Sequence, residues 1–240
     1  MIEIRKLDFI RNNFSLKIGD LYFKKNEKVA IFGNNGCGKS TFFNIATGLL
    51  KNYSGKIYYI NKELKKLSII KRAQVFSYLP QFFNIMFNFT VFEIIHLGRY
   101  PFQNTLSKYE NLDKTEKLIR DLHLEYLKNK RWANLSGGEK KRVAIAKTLN
   151  QDSKIIFLDE PLAMLDIKHQ IFFLNLIKLS NKIVIASSHD INLTKDYFTR
   201  FLFMKNGRIM YDVQRENVNK EIISETFDVN VCHTYNFAFS

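Results

Sequence analysis

The chain has 240 residues, 46% of them hydrophobic, enough for one α/β domain with a sizeable core, and this composition excludes a disordered chain. No apolar run reaches the roughly 18 residues a membrane-crossing helix needs, and Met1-Ile2-Glu3-Ile4-Arg5 lacks the apolar core of a signal peptide, so a protein kept in the cytosol is expected. The net charge of +14, from 37 Lys+Arg against 23 Asp+Glu, allows nucleic acid, an anionic membrane face or a polyanionic nucleotide as partner, but the lysines are scattered and form no basic tail.

From the N-terminus, Ile2, Ile4, Leu7 and Phe9 alternate loosely with polar residues, and Phe14, Leu16 and Ile18 alternate more strictly, which predicts strands. Leu21-Tyr22-Phe23 leads to a turn at 24–27, and residues 29–32 read as a buried strand. That strand runs into Gly33-Asn34-Asn35-Gly36-Cys37-Gly38-Lys39-Ser40-Thr41, which matches GxxxxGK[ST] in full, and residues 42–50 read as a helix. Strand, loop and helix in this order are what a phosphate-binding loop requires. The glycines let the backbone curl around a phosphate, and free N–H groups with the positive helix end face the anion. Lys39 is placed to reach the β- and γ-phosphates and the Ser40 hydroxyl to ligate Mg²⁺, so a nucleoside triphosphate is the expected ligand. Cys37 and Cys232 have no metal-ligand spacing and fit a reducing compartment; packing is the expected role of Cys37.

Beyond the loop, Ser54-Gly55 reads as a turn, 56–60 as a short strand and 75–79 as another, which Pro80 ends. Gln81 follows that strand and is a candidate to orient water or a metal ligand. Phe82, Phe83, Ile85, Met86, Phe87 and Phe89 then form a dense apolar stretch, which reads either as a groove for a partner helix or as subdomain core. Thr90 is a candidate helix cap, and helical patterns at 114–122 and 139–149 complete a helical subdomain of about residues 82–150. Leu135-Ser136-Gly137-Gly138-Glu139 places a glycine pair before a helix, a second anion site. One compact domain cannot bring it over the first loop's phosphate without folding over it, whereas a two-fold dimer can.

Residues 154–158 form the kind of run found in strands buried on both faces, ending in Asp159 and Glu160. Asp159 emerges where the phosphate loop also emerges and can hold the Mg²⁺ water shell; Glu160 can point toward the γ-phosphate as a general base. A helix with Ile171, Leu174, Ile177 and Leu179 follows, then a buried strand at 183–186 and His189, whose imidazole can hydrogen-bond a γ-phosphate. Strands at 201–204 and 208–213 flank an Asn206-Gly207 hairpin turn, and 216–240 reads as a closing helix and strand. Strands alternating with helices imply a mostly parallel sheet with its ligand at the strands' carboxyl ends.

LSGGE, with GNNGCGKST, Gln81, IIFLDE and SHD in order, resembles the ABC transporter ATP-binding subunits from end to end. The resemblance implies an α/β P-loop NTPase: a mostly parallel core sheet, an antiparallel β subdomain and a helical subdomain, in a single domain over 1–240. It implies ATP and Mg²⁺ as cofactors, with Lys39, Ser40 and Thr41 on phosphates and metal, Gln81 and Asp159 on the metal side, and Glu160 as general base. His189 would be the switch histidine, Asp166 part of the dimer-crossing loop, and Ser136, Gly137 and Gly138 would pin the γ-phosphate across the dimer. Ala163 and Leu162 depart from the usual serine and threonine of that loop. For the ring that stacks on adenine, Phe9 and Phe14 both lie near the place, Ile10 aligns where an aromatic is usual, and Phe9 is taken as the candidate.

Leu97-Gly98-Arg99-Tyr100-Pro101, Leu165-Asp166-Ile167-Lys168-His169-Gln170 and His189-Asp190-Ile191-Asn192-Leu193 are similar to the iron-chelate, heme and cobalamin importer branch. That branch implies a cassette on the cytoplasmic face of the membrane. Its partners would be a second copy of itself, polytopic permease subunits and an extracytoplasmic substrate-binding protein, with no specific nucleic acid. The alternatives are an efflux or metal-ion transporter ATPase, or a soluble ABC ATPase acting on nucleic acid or ribosomes. Against the latter, no sustained heptads occur between Ser40 and Leu135.

Overall fold

In the computed structural model, which describes residues 1–230, the N-terminal alternation is one long strand, β1 (Ile2–Arg11), whose Ile2, Ile4, Leu7 and Phe9 are buried. It pairs antiparallel with β2 (Phe14–Ile18), β3 (Leu21–Phe23) and β5 (Ser54–Tyr59), and β5 pairs with the short β6 (Lys62–Glu63). Ser54-Gly55 therefore lies inside a strand and is not a turn. The reason is local: β1 shifts register between Arg5 and Asp8, and Gly55, at φ +87°, faces that irregularity. A Cβ there would lie 2.3 Å from the Lys6 carbonyl oxygen, so the glycine serves a close backbone approach.

The second half of the sheet is parallel. β7 (Phe76–Leu79), β8 (Ile155–Leu158), β9 (Ile183–Ser187), β4 (Lys28–Phe32) and β10 (Arg200–Lys205) lie side by side in that order, each parallel to the next. β11 (Arg208–Gln214) returns antiparallel from β10 and joins β2, closing both halves into one sheet. The Asn206-Gly207 turn between β10 and β11 has φ +48° and +73°, the double left-handed geometry suited to a two-residue hairpin. β4 and β9 are buried at every position, as strands covered on both faces must be.

Helix α1 (Lys39–Ala46) begins at Lys39 rather than at 42, because the loop's last residues already have helical geometry. The helix α2 (Ile69–Val75) has a Ser68 cap and buries none of its residues, which left no periodic signal; it takes Val75 out of the predicted strand. Three helices start on reciprocal capping boxes: α3 (Val91–His96) on Thr90/Glu93, α4 (Lys108–Asp121) on Ser107/Glu110 and α5 (Gly137–Asn150) on Ser136/Glu139. The Ser107 box moves the start of α4 six residues ahead of the predicted 114. Further on come α6 (Ile167–Leu179), α7 (Ile191–Thr194) and α8 (Lys220–Phe227); the strand expected after α8, and Cys232, lie outside the described residues.

Two apolar clusters cover the two faces of the sheet, one including Phe42 and Phe43 of α1, the other Phe173, Leu174 and Ile177 of α6. A third, with Val91, Ile95, Ile119, Leu127, Trp132 and Val143, packs α3, α4 and α5 together. Part of the Phe82–Phe89 stretch takes the subdomain-core reading. Phe83 meets Trp132 edge-on at 5.5 Å and, with Ile85 and Phe89, packs on this cluster, while Phe82, Met86 and Phe87 are exposed. No helix among the described residues is long and apolar enough to cross a membrane.

Candidate functional site

Parallel strands end on the same edge of a sheet, so β7, β8, β9 and β4 deliver their following residues to one place. Those residues are Gln81, Asp159-Glu160, Ser188-His189 and the loop from Gly33. The loop is held from inside and outside. Lys39 Nζ donates to the carbonyls of Gly33 (2.7 Å) and Asn34 (3.2 Å), and the hairpin's Gly207 N–H donates to the Cys37 carbonyl at 2.9 Å. Gly33, at φ +154°, has the Met204 carbonyl oxygen 2.1 Å from where a Cβ would sit, so no side chain fits there. Cys37 is buried against this loop, and burial pushes its thiol up against the opposing effect of Lys39. A buried, protonated thiol is a packing group.

The carboxylates at the end of β8 are held differently from each other. Asp159 is 1% exposed; its Oδ1 accepts from Ser187 Oγ at 2.7 Å and its Oδ2 from the Tyr78 hydroxyl at 3.4 Å. Burial, with the Asp159 carboxylate beside it, pushes the Tyr78 hydroxyl far up. Glu160 has φ +47°, a conformation side-chain-bearing residues rarely adopt, and its N–H donates to Ser187 Oγ at 2.8 Å. This sharp bend carries its carboxylate out of the strand line. Gln81 Nε2 donates to Glu160 Oε2 at 2.9 Å, and His189 Nε2 lies 2.7 Å from Oε1. Three residues singled out separately in the sequence thus form one hydrogen-bonded group.

Two of them, Gln81 and Glu160, line a cavity of about 430 Å³ together with Phe14, Asn35, Gly36, Gly38, Lys39, Ser40 and Thr41. A second cavity of about 500 Å³ shares Phe14 and Thr41 with the first and continues past Arg11, Asn13 and Asn44. Phe9 forms part of its wall but is only 6% exposed, its ring packed among the sheet's core residues, whereas Ile10 is 68% exposed and lines neither cavity. Phe14, half-buried, is the ring the two cavities have in common.

Ser136, Gly137 and Gly138 do not line the phosphate-loop cavity. The Ser136 Oγ accepts from Glu139 N–H at 3.2 Å as the cap of α5, and Gly137 lines a separate cavity with Gln81 and Lys141. Asp166 caps α6, accepting from His169 N–H at 2.9 Å. Ser187, Tyr78 and Lys141 were not singled out from the sequence. Ser187 touches both carboxylate residues only because β9 lies beside β8, a pairing with no local sequence signal.

Among known proteins, the ABC transporter family profile matches residues 16–163. The petrobactin import ATP-binding protein of Bacillus anthracis is 32% identical over 242 residues, covering 96% of this chain and 88% of that one. A protein of Bacillus subtilis described as a probable siderophore transport system ATP-binding protein is 31% identical, covering 88% of this chain and 79% of its own. Among solved structures, a dimeric ATP-binding cassette in a post-hydrolysis state with ADP and Pi superposes with a TM-score of 0.78 at 25% identity, over 91% of this chain and all of that one.

Proposed function

The chain belongs to the ABC transporter family and is an ATPase; from that premise we propose that it powers uptake of an iron-chelate, heme or cobalamin-type substrate through separate membrane subunits. The names of the similar import and siderophore-transport proteins support the direction and the cargo class. The working form is two copies that sandwich two ATP molecules, and the dimeric cassette among the similar structures supports it. The LSGGE turn lies outside its own phosphate cavity, as a turn that serves the other copy must.

The observation that carries the reading is Glu160 at the mouth of the loop cavity, its carboxylate shared between Gln81 and His189. Loop N–H groups, the start of α1 and Lys39 bind the phosphates. Glu160 takes the proton of the attacking water, and His189 holds Glu160 Oε1 from the opposite side to Gln81. The metal-side donors that line the cavity are oxygens, the exposed Ser40 hydroxyl and the Gln81 amide, while the Asp159 carboxylate lies buried behind them at the end of β8, held by Ser187 and Tyr78. Among the described residues no cluster of three His, Cys, Asp or Glu side chains forms a protein cage. This set fits Mg²⁺, which keeps waters and substrate phosphates as ligands. When bound, Mg²⁺ neutralises charge on the β- and γ-phosphates.

Phe14, rather than Phe9, carries the base, since its ring borders both the phosphate cavity and the adjoining space, with Arg11 at the outer side. Exposed Phe82, Met86 and Phe87 form the contact for a permease helix at the cytoplasmic face, where an extracytoplasmic binding protein delivers the cargo from the other side. Ferric-chelate uptake into vesicles holding the chain with its permease tests the proposal. ATP-dependent uptake that disappears with Glu160→Gln is expected, and uptake unchanged by that substitution overturns it.

A further inference from the structure

Among the described residues one buried cation has no hydrogen-bond partner. Lys141 lies on α5, two residues past the LSGGE stretch, and is 7% exposed, yet its Nζ makes no hydrogen bond among the described residues. Leaving such a group without partners is costly, and natural structures rarely do so without a reason. Its neighbours on α5 are accounted for: Lys140 Nζ lies 5.7 Å above the Trp132 ring and Lys147 Nζ 5.1 Å above the Phe83 ring.

Lys141 lines a cavity of about 310 Å³ whose other wall includes Gln81 and Asn84. Gln81 also lines the phosphate-loop cavity, so its side chain is the partition between the two spaces. On the far side of that partition, Gln81 Nε2 occupies Glu160 Oε2 at 2.9 Å. Neither Asp159 nor Glu160 has a lysine or arginine ion-pair partner among the described residues. We propose that Lys141 is a positioning residue for hydrolysis, a cation stored behind Gln81 that takes over Glu160 Oε2 when Gln81 turns toward the loaded nucleotide.

Both states then keep Glu160 held from two sides. With the site empty, Gln81 and His189 hold it; with the site loaded, Lys141 and His189 do, and Gln81 is free to face metal and water. Burial lowers the Lys141 ammonium and the nearby Asp159 and Glu160 carboxylates oppose it, leaving it at about 8, so the carboxylates attract it before any contact forms. An orphaned buried cation lowers the stability of the empty protein, a cost tolerated where activity needs it.

The inference rests on Glu160 as the base, and the experiment separates the two. The full chain is compared with Lys141→Met and Lys141→Arg for kcat, KM for ATP and Tm. Lys141→Met is expected to lower kcat about tenfold or more with KM within about threefold, because the loaded site then holds Glu160 from one side only while the groups that bind the nucleotide are untouched. Its Tm is expected to rise, because the buried unpaired charge is gone, and Lys141→Arg restores most of kcat. In a Glu160→Gln background, Lys141→Met should change kcat no further. An unchanged kcat in Lys141→Met, or a kcat loss that comes with a lowered Tm and no rescue by Arg, overturns the proposal. Lys141→Gln, which keeps a polar tip, is measured alongside and must follow Met for the proposal to stand. Full turnover in Glu160→Gln alone would instead remove the base assignment itself.

Discussion

Ser187 offers a sharp test of how the site is built. Its hydroxyl is fully buried, donates to Asp159 Oδ1 at 2.7 Å and accepts from Glu160 N–H at 2.8 Å, so one atom fixes both the residue proposed for the metal side and the one proposed as general base. Ser187→Ala removes a hydrogen bond to a charged acceptor, worth about 1.5–3 kcal/mol, and leaves the Glu160 N–H short of its partner. The two losses share one network and do not simply add, so a loss of about 2–3 kcal/mol is expected. For a chain of this size that corresponds to roughly 4–12 °C in Tm. Alanine also adds no bulk, so the loss reflects the bonds and not overpacking. The larger effect falls on catalysis. Glu160 sits at φ +47°, a backbone state that persists only while its surroundings hold it. Without the Ser187 anchor the bend relaxes and the carboxylate leaves the mouth of the cavity. A kcat reduced about tenfold or more, with KM for ATP within about threefold, is expected. Thermal melts and steady-state ATP hydrolysis on the same preparations decide the matter. A Tm within about 1 °C of the parent and an unchanged kcat would refute the claim that this hydroxyl holds the site together.

Glu160→Gln keeps the shape of the side chain but removes the proposed proton acceptor; hydrolysis should fall by about 10²–10⁴-fold while ATP still binds. Size-exclusion chromatography with ATP should then find a persistent dimer, and a monomer throughout would contradict the sandwich. Phe14→Ala should weaken ATP binding more than binding of inorganic triphosphate, and Phe9→Ala should instead lower Tm because its ring lies in the core; equal effects on the two ligands would remove Phe14 from the base site. The capping carboxylates of α3, α4 and α5 give a pH prediction. Hydrogen bonds from Thr90, Ser107 and Ser136 hold Glu93, Glu110 and Glu139 below the ordinary carboxylate range. A depressed folded value means stabilisation that is present above the unfolded value and lost as pH falls through the folded one. Helical circular dichroism should therefore weaken on acidification below about pH 4.5, and replacing all three by Gln should flatten that dependence. An equally steep acid transition in the triple variant would show that these boxes contribute nothing to it.

What the sequence by itself determined was local chemistry. The phosphate loop is readable because a strand, a glycine-rich turn, a lysine and a helix must follow one another within a dozen or so residues to do the job at all. The apolar runs ending in Asp159 and Ser187 are readable because strands covered on both faces tolerate little else. Elements whose stabilisation is not apolar escaped: α2 buries none of its residues, and the first turn of α4 rests on a capping box rather than on periodicity. Gly55 reads the same in a turn as in a strand, and only the backbone of β1 beside it decided which it was. The tertiary structure alone decided what meets what at the strand ends. Strand order places β9 between β8 and β4, so Ser187 reaches Asp159 and Glu160 across 28 and 27 residues of chain. The same packing buried Phe9, set Phe14 between two cavities, kept the LSGGE turn out of its own phosphate cavity and left Lys141 behind Gln81 without a hydrogen-bond partner among the described residues. Such contacts depend on the pairing of distant strands and on the faces that helices turn to them, and hydrophobic burial fixes those globally, with no requirement on the residues adjacent in sequence.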